Sequence, residues 1–406
     1  MANTFVTNDM LNRSALKFAS GKLSFLAGVD RQLDSSFNGD GKHGSTLRLK
    51  NPQQFLVNQS RVANVQEVTE TAQTITVNSP YNIAIPFTSQ DRLQNIADIE
   101  RDLIEPAMAT LMAKIEGDAI STFTKDIPNI VGGGAYAAAS GFAPAALTDL
   151  LAVGRAQALL NQNYAPPSDR TILANSWQMS DMVNGLKGLF QDSSQIKSQY
   201  NEGLMGRTAM ADWRANEKCI SLTNGADVAG AINAGTLTTG ITSLTVNNFT
   251  TAIVVGTAFT VDAIFDIDPI TKASTGKLKW FVATGSVGAG TPTTLSFSPA
   301  MNFDTSNPNQ NCSGTPVTTA VITFHGSAST AYNQSIMFQK NAFTFVSAPL
   351  PKNAANDDCS VMTRDNLSIR VWTGSDIIND RSIMRIDLLC GWKTVRPEFA
   401  CRISSP

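Results

Sequence analysis

The stretch SIMRIDLLCGWKTVRPEFACRI, Ser382 to Ile403, is strongly apolar, carries one Trp and two Cys, and holds Arg-Pro-Glu in its middle. Segments near a domain terminus are usually polar and frayed. This one must be buried in a core, or against another copy of the same chain. Its reading is a buried strand–turn–strand that closes the core sheet. In that reading Arg396-Pro397-Glu398 fixes the turn, and Arg396 and Glu398 pair locally or across a subunit boundary.

The whole chain is long for a single core: 406 residues, 42% hydrophobic and 16% charged, so two or three domains are expected. The charged share is low for a globular protein. A surface of Ser, Thr, Asn and Gln explains it, and so does extensive subunit burial. Net charge is −2, from 31 basic and 33 acidic residues, with no Lys/Arg run. That excludes gripping nucleic acid through a basic patch. The start MANTFVTNDMLNRSALKF lacks the basic and continuous apolar regions of a signal peptide. No stretch approaches ~18 unbroken apolar residues, so no membrane span is expected. Five cysteines with no CxxC spacing predict free thiols in a reducing compartment, with no disulfide framework and no zinc site.

Upstream of the opening stretch the pattern changes several times. Residues 1–44 form an arm, with a short helix predicted around Leu11, Leu16, Phe18 and Leu23; it either packs on its own chain or docks on a neighbour. From 45 to 88, TLRLK and QTITVNSPYNIAIPF alternate polar and apolar residues, with Asn78-Ser79-Pro80 as a turn signal. This predicts a long hairpin unable to bury itself, a hazard unless a partner covers it. Residues 89–220 hold a long helix and an α+β domain. Ile96, Ile99, Leu103, Ala107, Leu111, Ile115 and Ala119 keep a helical spacing. Pro106 should kink that helix or mark a second start. Asp98, Glu100, Asp102 and Glu105 cluster at its N-terminal end, where the dipole favours acids. A second helix is capped by Thr148, RTILANS is a buried strand, and a third helix is capped by Ser176.

At about Ser221 charge almost disappears. Residues 221–330 carry eight charged side chains, and none lies between Asp227 and Asp262 or between Asp304 and Lys340. Strand-like runs separated by turns predict an inserted all-β barrel or sandwich. Residues 331–406 return to the core.

No catalytic constellation stands out. His43 lies in a Gly-rich loop and His325 ends a strand; both are expected to be turn histidines outside any nucleophile–base context. NGDGKHGST lacks P-loop spacing. Asp262, Asp266 and Asp268 resemble a calcium loop but lack its central Gly and closing Glu, so a solvated turn is expected. Cys390 and Cys401 are expected to be buried and inert. No cofactor and no metal is expected.

MRIDLLCGWKTVRPEFACRI resembles the end of the major coat proteins of tailed bacteriophages, specifically the short-tailed Salmonella-phage coat family. The matching residues are Arg385, Ile386, Gly391, Arg396, Pro397 and Glu398. The order of parts agrees over nearly the whole chain. The resemblance implies an α+β fold of the Hong Kong 97 capsid type: N-arm, extended hairpin (about 45–88), spine helix (about 96–125), peripheral and axial domains, and an inserted β-barrel. It also implies a non-enzymatic virion subunit that self-assembles into pentamers and hexamers of an icosahedral shell in the bacterial cytoplasm. A separate scaffolding protein and a portal protein at one vertex are implied partners, and double-stranded DNA is enclosed without sequence-specific binding. A shell that expands needs two packings of similar energy, with Pro106 and Gly132–Gly134 as expected hinges. Two other readings are a bacterial nanocompartment shell and a cytosolic cysteine-dependent hydrolase using Cys219 or Cys390.

Overall fold

The computed structural model describes residues 12–17, 19, 24–31, 46–50, 52–57, 59, 61–62, 65, 72–77, 80–88, 103–186, 207–227, 229–233, 237–247, 249, 251–285, 293–352, 358–376 and 381–406. His43, Asn78, Ser79, Ile96, Ile99, Asp98, Glu100 and Asp102 lie outside them. The chain divides into two compact units, one of 1–50, 72–119 and 343–393, the other of 51–71, 120–342 and 394–406.

In the first unit the strand Arg381–Thr394 is the hub of a five-stranded sheet. It pairs with Leu367–Asp376, Ile369 facing Leu388, and with Tyr81–Thr88, Ile83 facing Ile386. Strands Asp358–Arg364 and Leu367–Asp376 join through Asp365 and Asn366, both at positive φ (51° and 61°). Asp and Asn tolerate that conformation, which matches the right-handed twist of a hairpin. A two-stranded ribbon pairs Thr46–Lys50 with Ala72–Thr76, while Tyr81–Thr88, read from sequence as part of the same hairpin, is paired into the five-stranded sheet. The described part of the arm packs on its own unit. Asn12 donates Nδ2 to the Ser360 carbonyl at 3.1 Å, Phe25 N–H donates to Glu116 Oε1 at 2.6 Å, and Asp30 bridges to Thr344.

The helix Glu105–Asp126 places Pro106 in its first turn, where a missing N–H costs nothing. From Pro106 the helix runs without interruption to Asp126, and residues 89–102 lie outside the described ones. A wider, π-type turn at Leu103 and Ile104 precedes it. Met108, Leu111, Met112, Ile115 and Ala119 are buried, the spacing of one helical face.

The second unit holds a seven-stranded sheet in the order Ile130–Val131, Ala400–Ser405, Ala331–Gln339, Arg170–Ala174, Ala211–Ala215, Arg207–Thr208, with Ser221–Thr223 also paired to Ala331–Gln339. Every residue of Arg170–Ala174 and of Ala400–Ser405 is buried. Helix Leu151–Gln162 covers the sheet with Ala152, Val153, Ala156 and Leu160. Its first turn is held by Asp149, whose Oδ1 accepts from Leu151 N–H at 2.9 Å. Thr148 is not the cap: Leu150 precedes the helix and no side-chain cap bond is made there. Helix Ser176–Leu186 is capped by Asn175 and not by Ser176. Asn175 Oδ1 accepts from Gln178 N–H at 2.8 Å and Gln178 Oε1 accepts from Asn175 N–H at 3.4 Å, a reciprocal capping box. Ser176 instead donates its N–H and hydroxyl to Glu217.

Between Ala229 and Phe324 six strands close on themselves in the order Ser274–Ala283, Thr293–Met301, Ile241–Asn247, Ala229–Ile232, Val321–Phe324, Ala258–Ile267 and back to Ser274–Ala283. No helix occurs here among the described residues. Closure removes strand edges. Phe259 fills the centre, its ring 5.8 Å from Phe281, 5.9 Å from Phe297 and 5.7 Å from Phe324. Ala229–Ile232 and the added Cys312–Ser313 are strands that periodicity alone does not mark, because Gly, Ala and Cys carry little pattern.

The opening stretch is corrected in one respect. Arg381–Thr394 and Ala400–Ser405 are strands joined by the short helical turn Pro397–Phe399, yet they never pair. Each is central to a different sheet. The turn hands the chain from one sheet to the other.

Candidate functional site

The residues singled out by sequence fall in three places. At Arg385, the strand Arg381–Thr394 carries a fully buried carboxylate two residues on. Asp387 Oδ1 accepts from Arg385 Nε at 2.6 Å, and Oδ2 accepts from Arg370 Nη2 at 2.6 Å and Nε at 3.1 Å. Both guanidiniums also approach the Trp372 ring, at 5.3 Å for Arg370 and 5.9 Å for Arg385. Arg370 donates a further bond to the Pro351 carbonyl. Two cations, one anion and an aromatic face thus fasten two neighbouring strands. Asp387 and Arg370 escaped sequence reading. The available signal was a lone acid in an otherwise apolar strand.

Gly391 lies further along the same strand. A Cβ there would sit 2.7 Å from the Thr76 carbonyl oxygen, so glycine is demanded by close backbone approach. Gly132 and Gly134 answer to the same requirement. A Cβ would meet the Ala143 carbonyl at 2.0 Å and 2.9 Å, and both glycine carbonyls accept from Arg155 Nη1, at 2.7 and 2.8 Å.

In the connecting turn, the Arg396 guanidinium lies 5.1 Å over the Phe399 ring and Pro397 opens the helical turn. Glu398 is exposed, and its carbonyl accepts from Asn129 Nδ2 at 3.4 Å. No ion pair joins Arg396 to Glu398 among the described residues. The turn is held by stacking and main-chain bonds, with Val395 and Arg396 N–H groups both donating to the Ala342 carbonyl.

The third place, where the barrel meets its sheet, was not anticipated. Arg402 is 1% exposed and donates Nη1 to the Gly256 carbonyl at 2.7 Å. Burial lowers its pKa to about 10. His325 is no surface turn residue. It is buried, its Nε2 lies 2.6 Å from Ser404 Oγ, and its ring meets Trp280 edge-on at 5.5 Å. Beside it is a cleft of about 100 Å³ lined by Phe142, Arg155, Leu159, Asp266, Lys277 and Trp280 among others.

The three aspartates of the calcium-like segment do not converge. Asp266 accepts from Lys279 Nζ at 2.7 Å and Gln162 Nε2 at 3.0 Å. Asp268 caps the turn at Ile270 and Thr271 and accepts from Tyr164 OH, while Asp262 bonds the next amide. Burial pushes the Cys390 thiol up to about 12 and raises Cys401 further. Neither is a thiolate nucleophile at neutral pH.

The site therefore consists of strand fasteners and a domain junction, the equipment of a structural subunit. Residues 61–402 match the family model described as P22 coat protein - gene protein 5. The chain belongs to that family: it is a major coat protein of a tailed bacteriophage, a structural subunit of the virion's multi-subunit shell. No curated protein matches it in sequence. Among solved structures it is similar to one from Mycobacterium phage Che8, at 11% identity over 93% of this chain and 89% of that one, with a TM-score of 0.45. A capsid of Ralstonia phage GP4 is similar at 6% identity over 93% and 87%, with a TM-score of 0.44. The SrpI encapsulin complex of Synechococcus elongatus is similar at 8% identity over 90% and 83%, with a TM-score of 0.39.

Proposed function

We propose that this coat subunit builds an icosahedral shell of pentamers and hexamers with the help of a separate scaffolding protein, and that the shell expands as DNA is packaged. The fold in this reading is of the Hong Kong 97 type, with 45–88 as the extended hairpin and the helix Glu105–Asp126 within the spine. Residues 89–220 supply the peripheral domain and the first part of the axial domain, 221–330 the inserted barrel, and 331–406 the return. A portal protein occupies one vertex, assembly takes place in the host cytoplasm, and double-stranded DNA is enclosed without sequence-specific contact.

One observation carries the reading. Between the ribbon strands Thr46–Lys50 and Ala72–Thr76, Phe55 is 61%, Val57 94% and Val65 90% exposed. Large apolar side chains grouped on one loop call for cover by another molecule, and a heterologous contact repeated around rings supplies it. The near-neutral net charge of −2 also suits a wall facing packed DNA, because tight phosphate binding would oppose packaging and ejection.

Negative-stain electron microscopy of the expressed chain with its scaffolding protein tests this. Closed shells of uniform size are expected, and Val57→Asp with Val65→Asp should leave folded subunits that do not assemble. Soluble monomers under every condition would overturn the proposal.

A further inference from the structure

Three segments meet where the barrel joins its sheet: the end of Val321–Phe324, the strand Ala400–Ser405, and the turn between Tyr136–Ala137 and Gly141–Phe142. His325, 4% exposed, sits there with Ser404 and Trp280 as its neighbours. The same turn reaches the barrel through Thr260, whose hydroxyl donates to the Ala139 carbonyl at 2.5 Å, and through Gly141, where a Cβ would meet Trp280 at 2.5 Å. Arg402 faces His325 from Ala400–Ser405. Its Nε and Nη2 have no partner of hydrogen-bond geometry, and the His325 ring also faces the Ser140 backbone.

The surrounding charges are few. Ala400–Ser405 contributes Arg402 and the raised thiol of Cys401. Strand Ser274–Ala283 contributes Lys277 and Lys279, the latter held by Asp266 at 2.7 Å. The segment after His325 contributes the Tyr332 phenol, which accepts from Ser327 N–H, and the turn 136–142 contributes no charged side chain. Neither His325 nor Arg402 forms an ion pair among the described residues.

We infer that this junction is an acid-opened joint: a proton on His325 places a second buried cation beside Arg402 and releases the barrel from its sheet. A buried charge without a counter-ion is costly, and two like charges more so. Burial first, then Arg402, holds the imidazole down from 6.5 to about 4, the Ser140 backbone offsetting this in part. Because the closed state prefers the neutral ring, its advantage is complete above 6.5 and is lost as pH falls from 6.5 towards 4. The closed-to-open ratio should fall about 30-fold by pH 5 and about 300-fold once both states are protonated.

Two measurements on the full chain decide it. The chain has two histidines, so ¹³C-labelled imidazoles give two NMR signals, with His43→Gln assigning them. His325 is expected to titrate near pH 4; titration near the ordinary 6.5 in the folded protein overturns the inference. Hydrogen exchange, read against the intrinsic rate at each pH, should show opening of 136–142 and Ala400–Ser405 rising about 30-fold between pH 7.5 and pH 5. Strand Phe343–Ala348 should not respond. His325→Gln keeps a partner for Ser404 and cannot titrate, so it should lose the acid response. An unchanged response in that variant, or a rise spread evenly over the chain, overturns the joint. Should the variant fail to fold, the wild-type titration and exchange map still decide.

Discussion

Asp387 and Arg402 are both buried charges, in strands that follow one another along the chain, and they are treated in opposite ways. Asp387 is fully buried yet receives two guanidiniums and lies beside an aromatic face. Arg402 is equally buried yet receives one backbone carbonyl and no acid. Arg170, another deeply buried arginine, is an intermediate case, donating Nε to the Pro166 carbonyl at 2.9 Å and Nη2 to the Ala165 carbonyl at 2.6 Å. A paired charge fixes strand register because breaking it strands the partners. A charge with one neutral partner adds little holding energy and leaves its surroundings sensitive to a second charge.

The contrast can be broken by substitution. The largest effect is expected for Asp387→Ala, which leaves two guanidiniums facing each other and should cost about 3–5 kcal/mol by chemical denaturation. A loss below about 1 kcal/mol would show that the arginines find water instead. Gly391→Ala should cost about 1–3 kcal/mol, because its Cβ meets main chain that cannot swing aside. Arg396→Ala removes the stacking on Phe399 and should cost about 0.5–1 kcal/mol; a much larger loss would mean that the turn depends on a charge pair after all. Smallest of all should be Arg402→Met, an apolar replacement of similar length, within about 1 kcal/mol of wild type and on the stabilising side if the lost carbonyl bond is minor. A cost comparable to that of Asp387→Ala would erase the distinction between the two charges.

Much of this was legible in the sequence, for identifiable reasons. The strands of the barrel show in TAFTVDAIFDI and GKLKWFVATGSV because large β-branched and aromatic residues mark a half-buried surface. The opening stretch reads as two buried strands around a turn. Its partners were not legible, since apolar pattern states that a strand is buried and is silent about which sheet receives it. The helix caps went wrong at Thr148 and Ser176 by one residue each, toward Asp149 and Asn175, because Ser, Thr, Asp and Asn are near-equal candidates until the backbone chooses. His325 and Arg402 were missed because their meeting joins residues 77 positions apart; Ser404, the histidine's hydrogen-bond partner, is 79 away. Family likeness, resting on order of parts, reached further than local chemistry.

The barrel's attachment has one last consequence. The chain leaves the sheet on Ser221–Thr223 and re-enters it on Ala331–Gln339, and these two strands are paired rung to rung, Leu222 opposite Tyr332. Seen from the sheet, everything in between is the loop of a hairpin. Such a port joins the insert to the framework through two adjacent rungs, so the insert's length can vary without shifting the register of the sheet that carries it.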